Sequence, residues 1–445
     1  MTNQPGAALS ADEIVALSKR YTLFDWAVQA KIAPIPVARA EGVYFYGPDG
    51  RRYLDFNSQL MSVNIGHGDR RVAEAIAKQA VELEYVNSAA MTTEVRARLG
   101  MKLAELFPGD IEKSFFTLGG AEANENAIRI ARAVTGRQKI LARYRSYHGA
   151  TAGAITLTGD PRRWANEPGI PGVVHVLDFY HGTTRPADSA EVALAALEET
   201  IELEGPSTIA AFILEPVTGS NGILVPPDGY VEGVRELCDR YGILMIADEV
   251  MSGFGRTGAW FAVDHWNVVP DLITCAKGLT SSYVPLGAVG MRPAVASYFD
   301  DHVFAGGLTY NSHPVALAAA LATIRVYEED GLIEHAKKMG DVLGRHHEEL
   351  QAKHPSVGGH RHIGLFGCLE IVRNRATGEP MAAFNSTSPE MAEVSRYLLD
   401  HGVYTFLHWN QVMTNPPLTI TEEQLQEGFA VLDGALEITD RAVTG

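Results

Sequence analysis

The sequence predicts an α/β protein, with a large domain built on a mostly parallel sheet flanked by helices and a smaller α+β domain assembled from the N- and C-terminal segments. Three observations predict it. Short aliphatic runs alternate with helix-period segments through the middle of the chain, a turn-centred pair of aromatic runs stands near the start, and mixed helical and strand patterns close it. Length agrees, because 445 residues of which 46% are hydrophobic can bury more than one core.

Residues 1–65 are assigned to the N-terminal part of the smaller domain, where VYFY (43–46) and RYLDF (52–56) flank Gly47-Pro48-Asp49-Gly50. Alternating aromatic runs on either side of a turn tetrapeptide predict an antiparallel hairpin. Residues 66–322 are assigned to the large domain. There, helical AEAIAKQAVELEYV, strand-like KSFF, helical AEANENAIRIARAV and strand-like KILARY succeed one another, the order expected of a parallel sheet wrapped by helices. TIAAFIL (208–214), ILMIA (243–247) and LITCA (272–276) are continuous apolar runs, as strands buried on both faces require. Residues 323–445 are assigned to the C-terminal part of the smaller domain, where helical AKKMGDVLGRHHEEL alternates with strand-like LFGCLEIV and VYTFL. This part is expected to pack with the N-terminal hairpin.

A formal charge of −17 and a pI of about 5.3 work against nucleic acid or an anionic membrane as partner, since both are polyanions. The first twenty residues lack a basic start leading into an apolar stretch, and the longest apolar runs, such as Ile209 to Leu214, fall far short of the roughly 20 residues that span a bilayer. A cytoplasmic location is therefore expected. The three cysteines, Cys238, Cys275 and Cys368, are far apart and read as buried thiols of a reducing compartment. No metal site is expected: His346-His347 and His360-Arg361-His362 are clustered in sequence, but adjacent histidines do not share a helix face, and they read as solvated polar stretches.

In an open parallel sheet, ligands gather at the carboxyl ends of the strands. Strand ILMIA runs into Asp248-Glu249, LITCA into Lys277-Gly278, and AAFIL into Glu215-Pro216. An amine at one strand end and a carboxylate at another suit a charged aromatic cofactor. Pyridoxal phosphate needs an amine for its aldehyde, a carboxylate for its ring nitrogen, an anion site for its phosphate and apolar cover for its faces. Lys277 is the expected amine, its pKa lowered by burial so that it also moves protons. Asp248 is the expected partner of the ring nitrogen. At about 4 Å such a pair is worth roughly 4 kcal/mol at an effective dielectric near 20. Glu249 is expected to face solvent or serve structure. Gly119-Gly120-Ala121-Glu122 comes after a strand and opens a helix, where free N–H groups and the helix dipole bind anions. Tyr147, in Tyr147-His148-Gly149, is placed to stack on a ring.

Gly253-Phe254-Gly255-Arg256-Thr257-Gly258 matches a dinucleotide-binding G-x-G-x-x-G. The adjoining residues, AWFAVDHWNVVPD, do not make an amphipathic helix, and a nicotinamide enzyme stays only as the third rival reading, which titration with NAD settles.

By these motifs the chain resembles the class III aminotransferases, the omega-amino-acid and amine transaminase group of fold-type I pyridoxal-phosphate enzymes. The most specific stretch is DEVMSGFGRTGAWFAVDHWNVVPDLITCAKGL, in which Asp248 and Lys277 stand 277 − 248 = 29 residues apart. The resemblance implies that Gly120 and Ala121 bind the phosphate, Tyr147 and His148 lie beside the ring, Val250 packs on its other face, and Glu215 sits at the substrate gate. It also implies that Thr309, in GGLTYNSHP, reaches the phosphate of a neighbouring subunit, so that a homodimer shares its sites. Two departures stand out. Gly119 and Ala121 replace serines common in the family, which shifts phosphate binding toward backbone amides. No arginine occurs between Arg396 and Arg441, although many members place one just before the C-terminal Pro-Pro-Leu to bind a substrate carboxylate. His408, Asn410 and Gln411, or an arginine from elsewhere, are left for that task. YTLFDW and SQLMSVNIGHG are similar to members acting on taurine, beta-alanine or related omega-amines, which implies Phe24, Trp26 and Met61 in the pocket. The expected function is a ping-pong transaminase moving an amino group from such a donor to pyruvate or 2-oxoglutarate. The rivals are an aminomutase or decarboxylase on the same fold, and a noncatalytic dimeric scaffold.

Overall fold

The turn Gly47-Pro48-Asp49-Gly50 closes through Gly47 N–H donating to the Arg51 carbonyl at 2.9 Å. It sets the register of the first sheet. In the computed structural model, which describes residues 9–181 and 188–444, strands β1 (Arg39–Glu41), β2 (Tyr44–Tyr46) and β3 (Arg52–Asp55) form an antiparallel meander with Tyr44 opposite Leu54 and Phe45 opposite Tyr53.

Among the described residues the central sheet has seven strands: β4 (Lys113–Thr117), β5 (Lys139–Arg143), β6 (Val173–Val176), β7 (Ile209–Leu214), β8 (Leu244–Asp248), β9 (Leu272–Cys275) and β10 (Gly287–Met291). Their order is β4-β10-β9-β8-β7-β5-β6, and only β10 runs against its neighbours. The reason is connection length. Residues 276–286 between β9 and β10 contain no crossover helix, and a parallel return needs about a dozen residues or more. Every residue of β7 is buried, as a strand covered on both faces demands. Apolar clusters line the two faces, one around Leu141, Phe212 and Tyr230, the other around Ile130, Ile213 and Val289.

The C-terminal region adds β11 (Val357–Ile363), β12 (Phe366–Asn374), β13 (Glu379–Pro380), β14 (Val403–Tyr404), β15 (Leu407–His408) and β16 (Gln411–Thr414). VYTFL is not one strand. Val403–Tyr404 joins the first sheet, parallel to β3, while Leu407–His408 pairs with β16 in a sheet ordered β11-β12-β16-β15. Within a few residues the chain leaves one sheet for another, so a single strand cannot span both. The histidine stretches also differ from expectation. His360 and His362 lie half-buried on β11, and His347, on the helix Leu332–Lys353, is fully buried against them. Burial lowers the pKa of all three below the usual imidazole value. All three cysteines are buried. No helix among the described residues is long and apolar enough to cross a membrane.

Candidate active site

The chain emerging from the carboxyl ends of β4, β5, β7, β8 and β9 walls a cavity of about 1070 Å³, lined by Gly120, Tyr147, His148, Glu215, Asp248 and Lys277 among others. Lys277 comes after β9 in a left-handed backbone conformation, φ +41°, which β-strand continuation would not give. It is buried. That burial pushes its amine down to about 8, against the pull of Glu215 and Asp248 and with help from Arg162 and Arg256. A neutral amine is therefore within reach near neutral pH.

Asp248 ends β8 and is 3% exposed. Its Oδ2 accepts from Asn124 Nδ2 at 2.8 Å and pairs with His148 Nδ1 at 2.7 Å, while Oδ1 accepts from Val250 N at 3.1 Å. Because a carboxylate only accepts, His148 carries its proton on Nδ1. Asn124 is itself fixed, donating also to the His148 carbonyl at 2.7 Å and accepting from Thr274 Oγ1 at 2.8 Å. Asn124 lies on the helix Gly120–Thr135, Thr274 on β9, so three elements orient one carboxylate. Glu215 accepts from Tyr147 N at 2.9 Å and Gly219 N at 2.8 Å, and burial raises its pKa. Glu249, next to Asp248, turns away from the cavity into a buried shelf, where Val263 N donates at 2.9 Å and Ser252 Oγ also donates; burial pushes it up to about 7.

The helix Gly120–Thr135 begins against the cavity. A Cβ on Gly120 would stand 2.7 Å from Val250 Cγ1, and one on Gly149, at φ +134°, 2.5 Å from Ala121 Cβ. Bare backbone is what lets these segments meet, leaving N–H groups at a helix N-terminus for an anion. An amine, an oriented carboxylate, an amide cradle and cover from the Tyr147 ring and the Val250 side chain together meet the needs of pyridoxal phosphate.

At the cavity mouth Trp26 meets Tyr147 edge-on at 6.4 Å, and the Arg162 guanidinium lies 3.8 Å from the Tyr147 ring centre. Arg162 Nε donates to both oxygens of Asp160 at 3.1 and 3.0 Å, and Nη2 to Ser220 Oγ at 2.7 Å. Arg162, Asp25, Trp26, Met61 and His408 all line the cavity. His408 Nδ1–H donates to the Ser220 carbonyl at 2.6 Å and burial lowers the pKa of the ring, so Nε2 is left as an acceptor and offers an anion no donor. Asn410 and Gln411 are not anion donors either. Asn410 Nδ2 donates to the Ile371 carbonyl at 3.0 Å and Gln411 Nε2 to the Asn221 carbonyl at 3.4 Å, both outside the cavity lining. Phe24 also lies outside the lining, its backbone tied to the Gln29 side chain. Thr309 is exposed and takes no part in this chain's own cavity.

Asn124 and Arg162 carry no mark in the sequence that gives them away. Asn124 stands four residues past Gly120 on the helix's inner side, and Arg162 sits at the start of the 3₁₀ helix Pro161–Asn166, capped by Asp160. Only the gap left by the absent C-terminal arginine hints at a cation from elsewhere. Gly253–Gly258 opens no long helix; it forms tight turns before the short 3₁₀ segment Ala262–Trp266.

Comparison with known proteins agrees with this geometry. The profile described as "Aminotransferase class-III" matches residues 26–436. A taurine–pyruvate aminotransferase of Bilophila wadsworthia is 35% identical, the alignment covering 96% of this chain and 98% of that protein. A putrescine–pyruvate aminotransferase of Pseudomonas aeruginosa is 34% identical over 92% and 91% of the two chains. The crystal structure of a taurine:2-oxoglutarate aminotransferase from Bifidobacterium kashiwanohense, in complex with pyridoxal phosphate and glutamate, is 40% identical, covers 98% of this chain and 100% of that one, and superposes with a TM-score of 0.95. The chain belongs to the class III aminotransferases, and its cofactor is pyridoxal phosphate.

Proposed function

We propose that this aminotransferase takes its amino group from a small omega-amino acid bearing a terminal sulfonate or carboxylate, such as taurine or beta-alanine, and passes it to pyruvate or 2-oxoglutarate. The observation that carries the reading is Arg162 in the cavity wall of a chain with no arginine between Arg396 and Arg441. With Nε and Nη2 taken by Asp160 and Ser220 and the guanidinium laid on Tyr147, Nη1 is the donor left for an anionic group at the far end of a short donor. The taurine enzymes among the relatives support the same donor class.

Pyridoxal phosphate supplies an aldehyde that takes the donor's nitrogen and a ring that draws electrons from the adjoining carbon. Lys277 Nζ would hold that aldehyde and would move the proton of the donor carbon that bears the nitrogen. Asp248, fixed by Asn124 and His148, serves the ring nitrogen, and the amides of Gly120 and Ala121 serve the phosphate. Tyr147 and Val250 would cover the ring's two faces. Thr309, exposed on this chain, serves a partner's phosphate in a homodimer.

A donor panel tests the reading. Taurine and beta-alanine should outrun putrescine and simple alkylamines in kcat/KM. Arg162→Met should raise KM for the acidic donors about 10- to 100-fold while leaving alkylamines nearly unchanged, the loss expected of one charge-assisted contact. A wild-type preference for putrescine, or an equal loss for charged and neutral donors, would overturn it.

A further inference from the structure

Three imidazoles away from the active site converge on one point. His347 comes from the helix Leu332–Lys353, His360 and His362 from β11, and one ring nitrogen of each lies within 4.8 Å of those of the other two. Strand period two puts His360 and His362 on the same face of β11, beneath that helix. Glycines keep the room open. A Cβ on Gly344 would stand 2.5 Å from His362 Nε2, and one on Gly367 would stand 2.9 Å from His347 Cε1.

Polar bookkeeping gives an independent pointer. His347 is fully buried, and its Nε2 pairs with Thr414 Oγ1 at 2.9 Å, while its Nδ1 has no hydrogen-bond partner among the described residues. His360 Nδ1 is buried and likewise without one. Buried polar nitrogens are nearly always paired, so two in one cluster call for a missing ligand. With Nε2–H donating to Thr414, the His347 Nδ1 lone pair is left over, the arrangement by which an outer partner sets the tautomer of a metal-bound imidazole.

We propose that His347, His360 and His362 form a binding site for a divalent transition cation of the zinc type, its fourth position open to water. Three imidazoles without thiolate or hard oxygen ligands suit zinc, nickel, copper or cobalt over magnesium or calcium. Zinc–nitrogen bonds of about 2.0–2.1 Å require the rings to draw together, which the half-buried His360 and His362 have the freedom to do. Among neighbouring charges, Glu348 acts favourably on a cation at His360 and His362, and Asp341 does so at His362. Arg361 opposes it but is committed to Glu370 Oε2 at 2.9 Å and to the Gly222 carbonyl at 3.0 Å. His346, next in sequence to His347, stacks on Phe429 instead and pairs with Glu349. A bound cation would tie the helix to β11 and, through Thr414, to β16.

The test uses the full-length, tag-free, cofactor-loaded enzyme, stripped with a chelator and dialysed against zinc chloride. One zinc per chain should be retained and the Tm should rise by a few degrees. His360→Ala/His362→Ala should weaken uptake at least about tenfold while preserving transaminase turnover without zinc, and His401→Ala, an exposed histidine elsewhere, should bind like wild type. Cobalt should give visible d–d bands in a wild-type minus double-variant difference spectrum, separate from cofactor absorption. Equal zinc uptake by wild type and the double variant, or no zinc retained by wild type, would overturn the proposal.

Discussion

A lysine at φ +41° carries a backbone strain of about 1–3 kcal/mol, and its amine is buried as well. Neither helps the fold, and both place the amine where the proposed chemistry needs it. Lys277→Met should therefore lose turnover by at least about 10³-fold with its fold intact. The cofactor-free protein carries a pH signature. Burial lowers the amine of Lys277 from 10.5 to about 8 when folded. Between those values the unfolded chain binds a proton that the folded chain does not, so stability should rise with pH across that window, by on the order of 3 kcal/mol. Below the lower value the cost of the buried charge is present in full. Urea titrations of cofactor-free wild type and Lys277→Met at pH 7 and pH 10 isolate the effect, and a constant difference between the two proteins would refute it. Lys277, Asp248 and Glu215 are legible in the sequence because each stands at the end of an apolar strand. Asn124 and Arg162 are not, because their roles arise only where a helix and a turn approach those strand ends. Phe24, Asn410 and Gln411 are misplaced for the same reason: nothing local says which side of a segment meets the cavity.

At the scale of elements, the start of the helix Gly120–Thr135 is defined by what it lacks. Gly120→Ala would set a Cβ 2.7 Å from Val250 Cγ1, so either that side chain, proposed to cover one cofactor face, or the helix start itself must shift. Cofactor retention should fall by roughly tenfold, the equivalent of about 1.4 kcal/mol, with little change in secondary structure. Dialysis of the loaded variant and then absorbance of the retained cofactor measure it; retention equal to wild type would sink the idea. Glycine also explains which strands are legible. β7, β8 and β9 are unbroken apolar runs and stand where the pattern puts them, to within a residue or two. β10 reads GAVGM and β11 reads VGGHRHI, neither a strand-like pattern. In β10 the glycines answer to tertiary contact: a Cβ on Gly287 would be 2.5 Å from the Gly119 carbonyl, and one on Gly290 2.7 Å from Ile273 Cγ2. Such closeness between distant segments leaves no trace in local periodicity.

Across the whole molecule, the stretch that imitates a dinucleotide motif does a different job through Arg256. Its guanidinium is fully buried and donates to the Leu365 carbonyl at 2.9 Å, the Pro416 carbonyl at 2.6 Å, Ser58 Oγ at 3.0 Å and Asn64 Oδ1 at 3.1 Å. Two of these partners belong to the N-terminal segment and two to the C-terminal one, while Arg256 sits between β8 and β9 of the central sheet. Burial pushes the guanidinium down to about 10, which still leaves it charged at neutral pH. One residue thus joins the three stretches that wall the cavity, since Met61 and the run Phe406–Trp409 come from those same terminal segments. Arg256→Met fills most of the volume but strands four buried acceptors, and should destabilise by about 3–5 kcal/mol. Arg256→Lys keeps a charge and up to three donors and should lose clearly less. Because the damaged joint supports the mouth of the cavity, Arg256→Met should also raise KM for the donor more than it lowers kcat, although Arg256 lies outside the cavity lining. Denaturant titration and steady-state kinetics of both variants decide the matter: equal stability of wild type and Arg256→Met would show that the terminal segments are held to the sheet by apolar packing alone.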